Sequence, residues 1–282
     1  MIPVEFVKMQ GLGNDFVVVD CLRHPYDAAS LAGQAARLCD RRFGIGADGL
    51  ILVMAGQAAE YRMRIINSDG SEPEMCGNGI RCFAKYLYEH GITRQTTFTV
   101  ETLAGPIIPV LTVEQGKVAR VCVDMGAPRL ERDEIPMLGP AGPVVNESLQ
   151  VGGQAFNVTA VSMGNPHAVV FVNDVAHFPV AQYGPLIETQ AAFPKKTNVE
   201  FVEVVSPNQL RMRVWERGAG ITLACGTGAC ATLVAGVLTG NSERSATVTL
   251  PGGPLEIHWS DEDNHVYMTG PADEVYSGVI TL

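Results

Sequence analysis

No stretch of this sequence holds the ~18 consecutive apolar residues that a membrane-spanning helix requires. Its first ten residues, MIPVEFVKMQ, lack the basic start and apolar core of a secretory signal. Basic charge is scarce as well. Lysine occurs only at Lys8, Lys85, Lys117, Lys195 and Lys196, and the formal net charge of −10 disfavours the basic face that a phosphate backbone selects. P-loop, zinc-protease and nucleophile-elbow patterns are missing. What is present is 46% apolar residues against 18% charged ones, enough to bury a core and inconsistent with wholesale disorder. A soluble, cytoplasmic enzyme is expected, with no membrane and no nucleic-acid partner, and 282 residues fit about two domains.

Seven cysteines, Cys21, Cys39, Cys76, Cys82, Cys122, Cys225 and Cys230, are an odd number and no disulfide framework. On a helix Cys76 and Cys82 would sit about 120° apart, and Cys225 and Cys230 about 140° apart. Neither pair shares a face or has the spacing of a structural zinc site, so no metal is expected. Gly44 to Gly49 matches GxGxxG, but a strand follows it where a dinucleotide site needs a helix, so a glycine-rich turn is expected.

The strongest signal is an internal repeat. Residues 62–79 read RMRIINSDGSEPEMCGNG, and residues 211–228 read RMRVWERGAGITLACGTG. A constant offset of 149 places Arg62-Met63-Arg64 on Arg211-Met212-Arg213, Cys76-Gly77 on Cys225-Gly226, and Gly79 on Gly228. An echo at an offset of 151 relates Gly13-Asn14 to Gly164-Asn165. A period this long marks a duplicated domain, not a solenoid. The expectation is an α+β fold of two pseudo-symmetric lobes, each a curved mixed sheet around a central helix, with the active site in the cleft between them. The N-terminal lobe would span 1–118, completed by 270–282, and the C-terminal lobe 119–269.

Apolar and β-branched runs predict strands at Phe16–Val19, Leu50–Val53, Arg62–Ile66, Ala168–Val172, Val199–Val205 and Leu210–Val214. Helices are predicted at Gly77–Glu89 before Gly91, at Gly226–Leu238 before Gly240, at Ala28–Asp40 and near Val180–Thr189. Tyr267–Leu282 is expected to return to the first lobe.

Cys76 and Cys225 each stand where a strand-derived loop enters a helix, followed by Gly-x-Gly. Unpaired N–H groups and the helix dipole favour an anion there, so a thiol in that place should ionise more easily. One such cysteine suggests a nucleophile. Two, in equivalent lobes, suggest an acid and a base on opposite sides of one carbon, as inversion of a stereocentre demands. The same N-termini could hold a substrate carboxylate.

At these residues the sequence resembles the diaminopimelate epimerase family. The resemblance runs through GLGNDFVVVD at 11–20, FGIGADG at 43–49, NSDGSEPEMCGNGIRCFAKY at 67–86, SMGNPHAV at 162–169, ERGAGITLACGTGAC at 216–230, LPGG at 250–253 and YMTGPA at 267–272. It implies a pyridoxal-independent epimerase without a cofactor, usually a homodimer, that converts LL-2,6-diaminopimelate to the meso form. It implies Cys76 and Cys225 as the acid/base pair, and His167 and Glu216 as modulators of their pKa values. Side chains of Asn14, Asn67, Asn165, Asn198, Glu216 and Arg217 would contact substrate, and backbone amides of Gly77, Asn78, Gly226 and Thr227 would surround its carboxylate. Gly49 departs from members that carry Gln there, so the resemblance implies one polar substrate contact that is either missing or supplied by backbone. The 149 offset independently makes Asn67 equivalent to Glu216 and Gly49 equivalent to Asn198. Another cofactor-independent amino-acid racemase on the same scaffold, or a thiol redox-sensing binding protein, are the competing expectations.

Overall fold

A computed structural model describes residues 3–282. The chain divides into two compact units, one running up to Val123 and regaining Gly270–Leu282, the other spanning Asp124–Thr269.

The first unit opens with β1 (Pro3–Gly11) and β2 (Asn14–Asp20), then α1 (Ala28–Gly33) and α2 (Ala35–Cys39), β3 (Gly49–Ala55) and β4 (Tyr61–Asn67). The central helix α3 (Gly77–Glu89) follows, then β5 (Val100–Thr102), β6 (Gly105–Ile107), and the antiparallel hairpin of β7 (Val110–Glu114) and β8 (Lys117–Asp124). The last strand of the chain, β18 (Asp273–Thr281), pairs antiparallel with β1 and completes a mixed sheet of order β18-β1-β2-β3-β4-β5-β6. Strands β2 and β3 run parallel, as do β4 and β5.

Both faces of this sheet are covered, which is why β2 and β3 read as continuous apolar runs and not as alternating ones. Val17, Val19, Leu50 and Leu52 pack under α1 and α2 with Leu31 and Leu38. On the opposite face Ile51 and Ile65 meet the start of α3 at Gly79. The single helix predicted at 28–40 is two short ones. Asp27 caps α1 through the Ala29 N–H, and the chain breaks at Gln34, whose φ of −100° and ψ of 0° leave helical geometry. Gly33, the poorest helix former in the segment, stands at the break.

The second unit contains β9 (Glu147–Val151), β10 (Gln154–Ser162), β11 (Pro166–Phe171), α4 (Val180–Glu188), β12 (Asn198–Ser206), β13 (Gln209–Glu216) and β14 (Gly220–Thr222). Its central helix α5 (Gly226–Leu238) precedes β15 (Ser245–Leu250), β16 (Gly253–Trp259) and β17 (Val266–Gly270). The sheet order is β17-β16-β15-β13-β12-β11-β10-β9, with β14 on β13. Helix α4 and Phe193 cover one face over Val158, Val170, Val199 and Phe201. Helix α5 is apolar all round and buried along most of its length, as a helix at the centre of a unit must be.

The repeat survives in the register. Phe16 pairs with Gly49 across parallel β2 and β3, and His167 pairs with Asn198 across parallel β11 and β12. Asn67 ends β4 and Glu216 ends β13. Among the described residues no helix is long and apolar enough to cross a membrane.

Candidate active site

Cys76 is the N-cap residue of α3, in extended conformation, with its Sγ accepting the Gly79 N–H at 3.4 Å. A sulfur in that position takes up one of the orphan donors of the first turn, the role usually given to an oxygen. Its thiol lies 3.7 Å from Asn14 Oδ1, which also accepts from Asn78 Nδ2 at 3.0 Å. Asn14 is held in turn by Asp48, whose Oδ2 receives Asn14 Nδ2 at 2.8 Å. Asp48 comes from the glycine-rich 41–48 turn, so that segment serves to orient a site asparagine. Behind it Asp15 accepts both guanidinium nitrogens of Arg41 and the ammonium of buried Lys8. Burial would raise the Asp15 pKa, but those two cations overcome it and hold the carboxyl at about 2.

Cys225 occupies the same N-cap position on α5 in a drier setting. Its Sγ is 3.6 Å from Thr227 Oγ1, which receives Asn165 Nδ2 at 3.3 Å. Asn165 Oδ1 lies 3.0 Å from His167 Nε2, and His167 Nδ1 lies 2.7 Å from Glu200 Oε1. Position 16 carries Phe where this half carries His167, so each asparagine is oriented by a different partner: Asp48 for Asn14, His167 for Asn165.

The helix N-terminus does not by itself lower the second thiol's pKa. Burial pushes Cys225 well above the ordinary thiol range, and the carboxylates of Glu216 and Glu200 push it further, against a smaller opposite pull from the Thr227 hydroxyl. Burial, with the Glu200 charge nearby, also raises the carboxyl of Glu216, which accepts a short hydrogen bond from the Thr222 hydroxyl. Cys82, one turn and a half into α3, is pushed up to about 12 by burial and is a packing residue.

Within the first unit Asn14, Cys76 and Asn78 form one hydrogen-bonded group, while Asn67 Nδ2 turns to Ser71 Oγ at 2.9 Å. Within the second, Asn165, His167, Cys225 and Thr227 are linked in one chain, and Glu216 acts on Cys225. Asn198 fixes the approach to that strand end: its Nδ2 donates to the Pro166 carbonyl at 3.0 Å and its Oδ1 accepts the Arg217 N–H at 2.9 Å. Arg217 donates to the Lys195 carbonyl at 3.1 Å and forms no ion pair with the described residues, leaving its exposed guanidinium available to an anion. Gly49 is crowded: a Cβ there would lie 3.0 Å from the Ile66 carbonyl oxygen and 3.4 Å from the Phe16 ring.

Three supporting carboxylates escape a reading of the sequence alone: Asp48, Glu188 and Glu200. Glu200 had a signal. It stands inside the apolar run Val199-Glu200-Phe201-Val202 of a central strand, where an ionisable side chain must find a buried partner. Among the described residues no three His, Cys, Asp or Glu side chains gather in a way that would hold a metal ion.

The family model for diaminopimelate epimerase matches residues 6–131 and 159–275. A diaminopimelate epimerase of Heliobacterium modesticaldum is 58% identical over 281 residues, covering 99% of this chain and 100% of that one. Another, of Moorella thermoacetica, is 59% identical over 279 residues with the same coverage. Among solved structures, a Bacillus anthracis phenazine biosynthesis protein of the PhzF family superposes with a TM-score of 0.72 at 15% identity, over 100% of both chains. A probable proline racemase from Agrobacterium radiobacter follows at a TM-score of 0.70 and 14% identity, over 99% of this chain and 93% of that one. At such identities the two structures speak for the fold alone.

Proposed function

The chain belongs to the diaminopimelate epimerase family, and on that premise we propose that it interconverts LL-2,6-diaminopimelate and meso-diaminopimelate with Cys76 and Cys225 as its two bases. One thiolate removes the α-proton from one face of the carbon, and the other thiol delivers a proton to the opposite face. The first cysteine ends protonated and the second ionised, so the pair is reset by running the reaction backwards or by exchange with water. No external cofactor enters this scheme.

The observation that carries the reading is the duplicated N-cap. Each cysteine sits at the first turn of a 13-residue helix that is buried along most of its length, flanked by glycines that let a ligand approach the backbone. The amides of Gly77, Asn78, Gly226 and Thr227 then serve the α-carboxylate, into which carbanion charge spreads in the transition state. Arg217 serves the distal carboxylate, for which its fork geometry and its lack of an ion pair among the described residues suit it. Asn14, Asn67, Asn165, Asn198 and Glu216 supply side-chain contacts to the amino groups and carboxylates. His167 and Glu216 adjust the thiols.

Two further features belong to this reading. The chain acts in the cytoplasm on a precursor of lysine and peptidoglycan. It works as a homodimer, for which the outer strand β18 offers an edge left unpaired among the described residues and bearing exposed Val275, Tyr276 and Val279.

The deciding experiment incubates reduced, pyridoxal-free protein with LL-diaminopimelate in D2O and follows stereochemistry and Cα deuterium together. Appearance of the meso isomer carrying solvent deuterium at the inverted carbon is the expected result. A folded, fully reduced protein that neither exchanges nor inverts the substrate would overturn the assignment.

A further inference from the structure

The side chains leading to Cys225 have a direction. With the Glu200 carboxyl ionised, its Oε1 is an acceptor 2.7 Å from His167 Nδ1, so in that state Nδ1 carries a proton. At the other side of the ring, Nε2 faces the carbonyl oxygen of Asn165, which is also an acceptor, so Nε2 carries a proton too. His167 in this arrangement is the imidazolium. Asn165 Nδ2 donates onward to Thr227 Oγ1, whose own proton is thereby left to point at Cys225 Sγ. Every donor faces the sulfur, the orientation that suits a thiolate.

The opposite orientation uses the same atoms. A neutral His167 keeps Nδ1–H on Glu200 and presents an Nε2 lone pair. The Asn165 amide must then turn to offer its N–H₂ to the ring and its oxygen to Thr227. The Thr227 hydroxyl donates to that oxygen and accepts from the Cys225 S–H, which suits the thiol. No proton passes along the chain, since an amide relays orientation and not protons. Burial makes the two orientations discrete: His167 and Glu200 are both 0% exposed, and Glu200 Oε2 has no hydrogen-bond partner among the described residues, so the imidazole ring is the carboxylate's hydrogen-bonded compensation.

We propose that Glu200 is a positioning residue which, by holding His167 as the imidazolium, sets the direction of the His167–Asn165–Thr227 hydrogen-bond chain and so selects the thiolate form of Cys225. It rests on Cys225 being one of the two bases proposed above. A two-base epimerase needs Cys225 as thiol in one direction and as thiolate in the other, and a chain with two satisfied orientations supports both. The charged and titratable groups facing Cys225 are Glu216 from β13 and Glu200 from β12, with His167 of β11 acting on Glu216.

The test variant is Glu200→Gln, which keeps the acceptor for Nδ1–H and removes the charge. Loss of the imidazolium reverses the chain, so the limb of the kcat/KM profile governed by Cys225 moves to higher pH. Near neutrality kcat falls about 10- to 100-fold, less than the ~100- to 10,000-fold that general acid–base catalysis supplies because both thiols remain in place, while KM for diaminopimelate is little changed. Direct relief of charge repulsion predicts the reverse, because removing a carboxylate beside a thiol makes ionisation easier. A limb that stays or moves to lower pH would overturn the proposal. Glu200→Asp, which restores the charge, should recover part of the rate.

A second measurement does not depend on the variant folding. In 15N-histidine-labelled wild-type protein, with signals assigned through His167→Gln, both His167 nitrogens should show imidazolium shifts at the pH of the assay. A neutral His167 there would refute the chain direction. If the imidazolium is present but the wild-type protein leaves LL-diaminopimelate untouched, the substrate assignment has failed and the chain itself stands.

Discussion

The indole N–H of Trp215 donates to one oxygen of Glu188 at 2.7 Å, and the other oxygen of the same carboxylate receives the Gly218 N–H at 3.2 Å. The two donors bracket Glu216 and Arg217, so one buried carboxylate on α4 fixes the turn that presents both. Gly184, one turn earlier on α4, makes room for this contact, since a Cβ there would lie 2.6 Å from the Trp215 side chain. Gly218 lets the turn close at a φ of +78°. Glu188→Ala should therefore leave the indole and a backbone N–H unpaired, costing about 1–3 kcal/mol of stability. It should also raise KM for diaminopimelate, through Arg217, by more than it lowers kcat. Thermal unfolding and steady-state kinetics on the same preparation read both effects, and an unchanged KM in a variant that melts early would deny the turn this role.

Removal of either thiol separates the two half-reactions. Cys76→Ala and Cys225→Ala should each abolish conversion of LL- to meso-diaminopimelate, because one face of the carbon loses its only acid or base. The Cys→Ser counterparts should invert very slowly, yet still exchange the α-proton with D2O from the face served by the remaining thiol. Mass and chiral analysis of recovered substrate distinguish the cases. Normal epimerisation by both alanine variants would end the two-base scheme.

The duplicated elements around Cys76 and Cys225 were readable from the sequence because they are local. The predicted helices at Gly77–Glu89 and Gly226–Leu238 coincide with α3 and α5, and the strands bearing Arg62 and Arg211 stop at Asn67 and Glu216. N-cap position, glycine spacing and C-terminal glycine all act within a few residues. Glu188 and Glu200 were opaque for the opposite reason: their partners lie 27 and 33 residues away in sequence, and a single chain does not announce such pairings. The lowered thiol expected at Cys225 failed for a related cause. The helix terminus is local, but the burial and the two carboxylates that outweigh it arrive from strands β12 and β13.

Acid stability should report the Lys8–Asp15–Arg41 group. The Asp15 carboxyl is held at about 2, below its ordinary 3.8, despite burial that would raise it. A depressed folded-state pKa contributes stability that is full above the unfolded pKa and is lost as pH falls through the folded one. The window is therefore between about pH 4 and pH 2, and the contribution at neutral pH is about 2 kcal/mol. Asp15→Asn should lower stability at pH 7 and flatten the curve across that window. Urea unfolding at pH 7, 4 and 2.5 tests it, and equal slopes for both proteins would show that Asp15 is not the group being titrated.

The glycines that follow the two cysteines are equivalent in sequence but not in tolerance. A Cβ on Gly79 would meet Ile65 Cδ1 at 3.1 Å and the Cys76 Cβ at 3.4 Å, contacts that a rotamer shift of a flexible isoleucine relieves. A Cβ on Gly228 would lie 2.7 Å from Glu200 Oε1 and 3.2 Å from Cys225 Sγ. There the neighbour that must move is a fully buried carboxylate hydrogen-bonded to His167, and the next is the Cys225 sulfur. Neither glycine has a positive φ, so alanine is acceptable to the backbone at both and should gain helix propensity of up to about 1 kcal/mol. Gly79→Ala should thus keep near-normal stability and a measurable kcat. Gly228→Ala should lose stability by about 1–3 kcal/mol, as overpacked sites do, with a loss of kcat well beyond that of Gly79→Ala. Melting temperature and kcat of the two single variants, side by side, decide the matter. Equal losses would mean that the Glu200 carboxylate can yield as readily as the isoleucine does, and that it is not held firmly against His167.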